Sequence, residues 1–450
     1  MAVVAAVLLL RLCDFAVMLV AVLAVAVLVA PLHHEQCVCL GEVVFQEDKL
    51  GILHINTSQP EQQSVVVNGV DTTELFGNVR AHVGKLQQLQ QALEEQTAWN
   101  EQQGDVLDNM TATLCKALGP ISPRADDTAI PVPSLGTRKN VAEWIGGVLD
   151  HASGLIYGIP YEASAVLIID PVTGTADVTT ITGLPESGAK WAGGLQADNG
   201  LIYAFPHNAQ AVLVIDPATN AVDNTTLGGL PSSSGKWVSG VLADSGLIYV
   251  IPWTASSVLI LDPIRNTTDM TSIDRVVGSG YRWYGGAQAA NGLIYCVPRQ
   301  ANAVLIINPA TNTADVTSLG GFQLFSNNWF GTVLAGNGLI FGIPFESNAV
   351  LIINPSDNST DTSTISSLPE GGSKWLGGVF VPSTQRIIAT PYATSSALVI
   401  DPDSKTIDTT SAAGFTAGRG NWFDGVLAGN GIIYGIPHGS NNVLIIDPGC

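Results

Sequence analysis

In the larger, C-terminal part of this chain, apolar and polar positions follow one pattern that is written seven times. It is clearest in three consecutive pieces: Lys190-Trp191-Ala192-Gly193-Gly194, then Asn199-Gly200-Leu201-Ile202-Tyr203, then Ala211-Val212-Leu213-Val214-Ile215-Asp216-Pro217. Tryptophans fall at Trp144, Trp191, Trp237, Trp283, Trp329, Trp375 and Trp422, 46 or 47 residues apart. An Asp-Pro or Asn-Pro step keeps time with them, at Asp170, Asp216, Asp262, Asn308, Asn354, Asp401 and Asp447. A period of that length marks an architecture in which each unit buries its apolar face against the next.

Each unit reads as four strands. Trp191 to Leu195 is a short first strand whose Gly pair suits crowded packing near an axis. Asn199-Gly200 turns the chain into a second strand, Leu201 to Phe205, which Pro206 ends. Ala211 to Ile215 is apolar throughout, the pattern of a strand covered on both faces by neighbouring sheets. Asp216-Pro217 opens a turn in which the carboxylate accepts backbone N–H groups and proline presets the next φ. Val222 to Leu227, with Asp223-Asn224-Thr225-Thr226, is polar and Thr-rich and is expected outermost. Four strands per repeat is the arithmetic of a propeller blade. The outer-strand pattern recurs at Asp177, Asp223, Asp269, Asp315, Asp361 and Asp408 but not after Asp447. Its seventh copy precedes the array: Ala125-Asp126-Asp127-Thr128-Ala129-Ile130 matches Ala176-Asp177-Val178-Thr179-Thr180-Ile181. The spacing therefore predicts an all-β, seven-bladed β-propeller over residues 125–450, closed by an N-terminal outer strand that removes the open edge of a linear array. An open solenoid is the alternative.

Leu155-Ile156-Tyr157-Gly158-Ile159-Pro160 followed by Val166-Leu167-Ile168-Ile169-Asp170-Pro171-Val172-Thr173-Gly174-Thr175 resembles the repeat of YVTN-type and related surface seven-bladed β-propellers. The likeness covers residues 125–450. It implies an exported binding or scaffold propeller with no shared active site.

The N-terminal part is built differently. Phe15 to Leu32 is an uncharged apolar run of 18 residues, behind Arg11 and Asp14 and ahead of His33-His34-Glu35. That length fits a helical membrane span and also a long signal-peptide core, with Ala24-Val25-Ala26 as a cleavage site. Residues 1–36 are read as a signal-anchor, with a cleaved signal peptide as the alternative. Either exports the rest, as a single-pass membrane protein with an extracellular or lumenal C-terminal domain or as a secreted protein. Residues 37–72 read as a small strand-rich segment containing Val65-Val66-Val67 and an Asn68-Gly69 turn. After Asp71-Thr72-Thr73-Glu74 the pattern becomes helical, with Phe76, Val79, Val83, Leu86, Leu93, Leu107, Leu114 and Leu118 near a seven-residue spacing. Residues 73–118 are expected to form a coiled-coil-like stalk able to form a homo-oligomer; a helical hairpin bent near Gly104 is the alternative. Residues 119–124 are a linker. The passage from Val-Asn-Gly-Val-Asp into a Leu- and Gln-rich helix resembles the neck of fibrous surface proteins.

Charge narrows the partners. A net charge of −20 repels phosphate backbones and anionic headgroups, which argues against nucleic acid. Within residues 126–450 there are 25 Asp and Glu against 12 Lys and Arg, and about half of those acids occupy the repeated turn and strand positions. The acidity is thus largely architectural. Five Asn-x-Ser/Thr sites, at Asn56, Asn109, Asn224, Asn266 and Asn358, fit an exported glycoprotein. Cys115 and Cys450 lie just outside the two ends of the array and are a candidate disulfide clasp; free or intermolecular thiols are the alternative.

Two sets of repeated positions invite a ligand. The tryptophans, beside Lys190, Lys236, Arg282 and Lys374, suit either a ring of sugar-stacking platforms or packing between blades, and packing is the expectation. The residue after each strand-ending proline runs Tyr161, His207, Trp253, Arg299, Phe345, Tyr392 and His438: always planar, never the same in two consecutive blades. Scaffold positions stay constant in a repeat, so a position varied within one physical class points to a face that meets a ligand. These seven residues are the candidate ligand-binding set for an extracellular protein or glycan partner. No His-x-x-Glu-His, Gly-x-Ser-x-Gly or phosphate loop occurs, so neither an enzyme nor a bound cofactor or metal is expected. If the propeller were an enzyme, a lyase or a quinoprotein-like protein, the repeat-breaking Tyr284, Asn328 and Asp424 are the residues to examine. A structural coat or appendage component is the third class.

Overall fold

The computed structural model describes residues 38–40, 43–47, 53–57, 66–67, 70–71, 84–85, 87–88, 91–92 and 123–449, apart from 135–141, 187, 277–279, 325, 370–371, 416–417 and 419. The chain divides into two compact units, 1–102 and 103–450. The first contains an antiparallel sheet of Val38–Leu40, Val43–Glu47 and Leu53–Thr57, and an antiparallel pair of Val66–Val67 with Val70–Asp71. Residues 84, 85, 87, 88, 91 and 92 are α-helical. The signal-anchor, the remainder of the 73–118 stalk, Asn109 and the Cys115–Cys450 pair lie outside the described residues. Among the described residues no helix is long and apolar enough to cross a membrane.

The second unit is a ring of seven four-stranded antiparallel sheets. Blades 1 to 6 span residues 144–177, 191–223, 237–269, 283–315, 329–361 and 375–408. Blade 2 is representative, with strands Trp191–Gln196, Ile202–Pro206, Leu213–Asp216 and Ala221–Asp223. Blade 7 takes Trp422–Leu427, Ile433–Pro437 and Asn442–Asp447 and completes itself with Arg124–Pro131, from the other end of the array. The register there, Ile445 with Asp126 and Ile446 with Ala125, copies Ile168 with Asp177 and Ile169 with Ala176 in blade 1. The copied motif includes its cap: Asp126 accepts the Thr128 N–H and hydroxyl at 2.8 and 2.9 Å. The ring is closed and the solenoid alternative is excluded.

One expectation needs correction. The outer strand was placed at Val222 to Leu227, but only Ala221–Asp223 joins the ladder. Asp223 takes the Thr225 N–H at 2.8 Å and the Thr226 N–H at 3.1 Å, so the Asp-x-Thr-Thr stretch is a side-chain-capped turn that ends the strand. The Asp-Pro turns behave as anticipated: Asp170 accepts the Val172 N–H at 2.8 Å, and Asp216 the Ala218 N–H at 2.9 Å.

The core lies between blades. Trp191, for example, packs among Val148, Ile159 and Ile168 of blade 1 and Ile202, Leu213 and Ile215 of its own blade. All seven tryptophans are 4% exposed or less, and each indole N–H donates to a backbone carbonyl 20 or 21 residues on, such as Trp191 to Ala211 at 2.8 Å. The indoles are therefore blade-to-blade wedges, not platforms open to a sugar. The first-strand glycines have a like cause: Gly193 has φ +68°, and a Cβ there would stand 2.5 Å from Val238 O.

Candidate functional site

A closed circuit of backbone hydrogen bonds runs around one end of the propeller and carries the seven planar residues. Tyr161 donates its N–H to Glu143 O and accepts from Lys190 N, both at 2.9 Å; His207 then donates to Lys190 O and accepts from Lys236 N, again at 2.9 Å. The same alternation passes through Trp253, Arg299, Phe345 and Tyr392. At blade 7 it slips by one residue, Gly420 N donating to Tyr392 O, before His438 O receives Glu143 N at 3.3 Å and the circle closes. The backbone bonding at these positions is thus repeated from blade to blade, with the one-residue slip at blade 7, while the side chains are free to differ. That is the physical basis for a constant frame carrying a variable surface.

The cations that precede the tryptophans reinforce this frame. Lys236 is fully buried and its ammonium donates to His207 O, Ala209 O and Ser233 O at 3.1, 2.9 and 3.0 Å. Lys190 does the same to Tyr161 O and Ala163 O. Arg282 bonds Val276 O and Ala255 O. These groups hold one blade to the loop of the preceding blade and are unavailable to a ligand. Asn328 belongs to the same set of positions, its backbone bonded to Arg299 O and Phe345 N, so it is part of the frame and not of the bore.

Inside the planar ring lies a second one, formed by the residue after each tryptophan: Ile145, Ala192, Val238, Tyr284, Phe330, Leu376 and Phe423. Blades 1 to 3 contribute small or aliphatic side chains and blades 4, 5 and 7 aromatic ones. The aromatic side fills with Tyr284, Phe330 and Phe423, ring centroids 4.0 to 6.0 Å apart. The resulting depression of about 490 Å³ is lined by Tyr161, His207, Trp253, Arg299, Phe345 and Tyr392 together with this inner ring. His438 stands at its side, stacked on Phe423 at 5.4 Å and 27°. Six of the seven candidate residues thus converge on one concavity at the axis.

Its chemistry is mixed. Tyr161 and His207 meet edge to face at 5.2 Å, and Trp253 and Tyr281 lie 5.1 Å apart. Tyr281 is 48% exposed and Trp253 8%. The Arg299 guanidinium lies 4.6 Å over Trp253, 5.3 Å over Tyr281 and 5.2 Å over Phe330, and burial pulls its pKa down to about 10. Burial also lowers His207 and His438, so both are neutral at pH 7. Their Nδ1 atoms face carbonyl oxygens, Ala189 O at 3.1 Å and Gly420 O at 3.0 Å, which makes Nδ1 the protonated nitrogen and leaves Nε2 as an acceptor.

Beneath the aromatic floor sits Asp424. Every other blade has Gly at this position except blade 3, which has Ser239. Asp424 keeps the glycine-like φ of +70°, accepts the Gly425 N–H at 2.9 Å, and is pushed by burial up to about 6. Its charge in turn helps raise the buried Tyr284 hydroxyl well above its usual range. Two of the three repeat-breaking residues therefore influence each other across the axis, and Asn328 does not join them. Among the described residues no cluster of three His, Cys, Asp or Glu side chains could hold a metal.

Apart from Tyr284, the inner ring was not singled out from the sequence, nor were Tyr281 and Asn208. The inner ring was recoverable, since it is the variable column next to the invariant Trp; Tyr281 lies in an inter-blade loop with no periodic signal. Asn266 and Asn358 are exposed and occupy the left-handed position of the Asp-Pro turn, with φ of 54° and 55°, as do Asn220 and Asn312 at 56° and 51°. That geometry by itself favours Asn. Asn224 is half-buried, and Asn56 lies in the strand Leu53–Thr57.

No protein-family model and no curated protein sequence matches the chain. Solved structures do. A streptogramin B lyase aligns with TM-score 0.55 and 11% identity over 72% of this chain and 97% of its own. Virginiamycin B lyase from Staphylococcus aureus, in its catalytically inactive form with quinupristin, gives 0.53 and 12% over 72% and 99%. The extracellular domain of a putative one component system from B. thetaiotaomicron gives 0.52 and 10% over 72% of this chain and 40% of the other. Identities this low establish the fold alone: the chain is a seven-bladed β-propeller repeat protein.

Proposed function

We propose that this chain is an exported surface protein whose propeller binds a glycan or a protein partner at the axial depression. The observation that carries the reading is the convergence of the variable planar residues on one concavity while the hydrogen-bonded frame beneath them is constant. Concave sites with aromatic walls and a few convergent polar groups are the usual form of a ligand pocket. The volume suits a small ligand or a protruding side chain better than a flat protein face. Extracellular placement follows from the apolar Phe15 to Leu32 run, which serves as signal-anchor or signal peptide, and agrees with the extracellular domain among the similar folds. Residues 73–118 would then act as a stalk that presents the head and is able to oligomerise.

A glycan-array screen of the full chain beside a Trp253→Ala, Tyr161→Ala double variant tests the reading. Binding that falls by at least about tenfold in the variant is the expected result, measured well below a melting midpoint that the loss of the buried Trp253 lowers. Equal binding by both proteins would move the site elsewhere. Should the folded protein bind no glycan, cell-surface crosslinking takes the protein-partner arm of the reading. An enzymatic reading draws on Asp424 and Tyr284 under the same floor; recovery of bound ligand chemically unchanged after long incubation would count against it.

A further inference from the structure

The depression holds one cation, and the folded chain leaves two of its guanidinium nitrogens without a hydrogen-bond partner. Arg299 Nε and Nη1 are enclosed without any hydrogen-bond acceptor. Among the described residues the ion pairs are Arg265 with Asp262 and Arg275 with Asp274; Arg299 has none. Glu346, whose charge favours the guanidinium, is engaged instead by the Asn327 side-chain amide at 3.0 Å. Arg282, Lys190 and Lys236 are committed to backbone carbonyls, and the two ring histidines are neutral. Arg299 is positioned over three aromatic rings, with Glu346 favouring its charge from a distance but forming no ion pair with it. A half-buried guanidinium with no ion pair and with two nitrogens lacking a hydrogen-bond acceptor favours an incoming anion.

The surroundings narrow that anion. Tyr281 and Trp253 present ring edge and face, and His207 Nε2 and the Ser234 hydroxyl line the same wall, where the Asn208 amide and the Thr254 hydroxyl are held by the backbone of Gly188, Ser234 and Gly235. This is the pairing of apolar face and multiple weak hydrogen bonds that a sugar ring matches. The net charge of −20 disfavours polyanions, which points to a ligand of low negative charge. We infer that the depression binds a sugar residue bearing one carboxylate, with the carboxylate on Arg299 and the sugar face on Tyr281 and Trp253. The inference rests on the glycan arm of the function proposed above.

The test uses the full chain displayed on cells, with a neutral oligosaccharide, the same oligosaccharide capped by a sialic or a uronic acid, the carboxyl-reduced form of each, and heparin. Wild type should bind an acid-capped probe at least about tenfold more tightly than its neutral and reduced counterparts, and heparin weakly or not at all. Arg299→Met, in a protein that still unfolds in one cooperative transition, should abolish the preference, so that the acid-capped probe binds no more tightly than its carboxyl-reduced form. Arg299→Lys should recover only part of the preference, because an ammonium lacks the planar fork. Neutral or reduced probes bound as tightly as the acidic one would overturn the inference and leave the glycan reading standing, as would heparin outcompeting the single acid. A folded wild type that binds none of the probes would overturn both.

Discussion

At the residue scale, Asp424 is the clearest departure from the repeat. It holds a left-handed backbone conformation that five blades fill with Gly, and its carboxyl is buried enough to be raised to about 6. A carboxyl raised above its unfolded value makes folding less favourable once the pH exceeds the folded pKa, and the penalty vanishes as pH falls toward the unfolded one. At about 1.4 kcal/mol per unit the penalty at neutral pH is on the order of 2 to 3 kcal/mol, to which φ strain adds roughly 1. Asp424→Gly should therefore raise the melting midpoint by several degrees at pH 7.5 and by distinctly less at pH 4.5. Differential scanning calorimetry at the two pH values checks this, and an equal gain at both would mean that backbone strain alone is relieved. A residue this costly that persists beneath a ligand-sized depression is where function and stability pull apart. In the sequence it was legible only as a break in a column of glycines; that its field reaches Tyr284 depends on which blades face each other across the axis.

At the scale of the element, the outer-strand turn is the part whose chemistry recurs most faithfully. Asp269 is held down to about 2 by the Ser272 hydroxyl, with burial opposing and the Thr271 and Ser272 N–H groups and the Thr271 hydroxyl assisting. Asp223 is lowered further by Thr226 and Thr225. A carboxylate depressed below its unfolded value contributes stability above that value and loses it as pH falls through the folded one. The propeller should thus lose stability progressively from about pH 4 to about pH 2. Asp269→Asn, followed by thermal denaturation across that range, should flatten part of the decline; an unaltered slope would show that these exposed turns do not govern acid unfolding. Reading Val222 to Leu227 as strand failed here for a local reason. Thr-rich sequence has high β-propensity, but an Asp two residues ahead of a Thr offers the backbone a competing side-chain bond.

For the whole molecule, closure is decisive. Ile130 is 2% exposed and packs with Trp144, Val443 and Ile436, joining the two ends of the array across the seam. Ile130→Ala should cost roughly 2 to 4 kcal/mol and lower the midpoint of the entire propeller in one transition. A separate early transition of blade 7 would instead show that the ring can open without unfolding. What the sequence alone determined is the architecture: strand number, blade number, the seam and the identity of the variable planar positions are all periodic facts, and a period survives without coordinates. What only the tertiary structure decided is the site. Whether the planar residues pack between blades or open onto a cavity depends on the inner ring that backs them, small in blades 1 to 3 and aromatic in blades 4, 5 and 7. Whether a cation is a staple or a binding group depends on which carbonyls stand within reach, and this separates the buried Lys236 from the half-buried Arg299 although both lie beside a tryptophan. Both distinctions are set by contacts between residues dozens to hundreds of positions apart, and no window along the chain contains them.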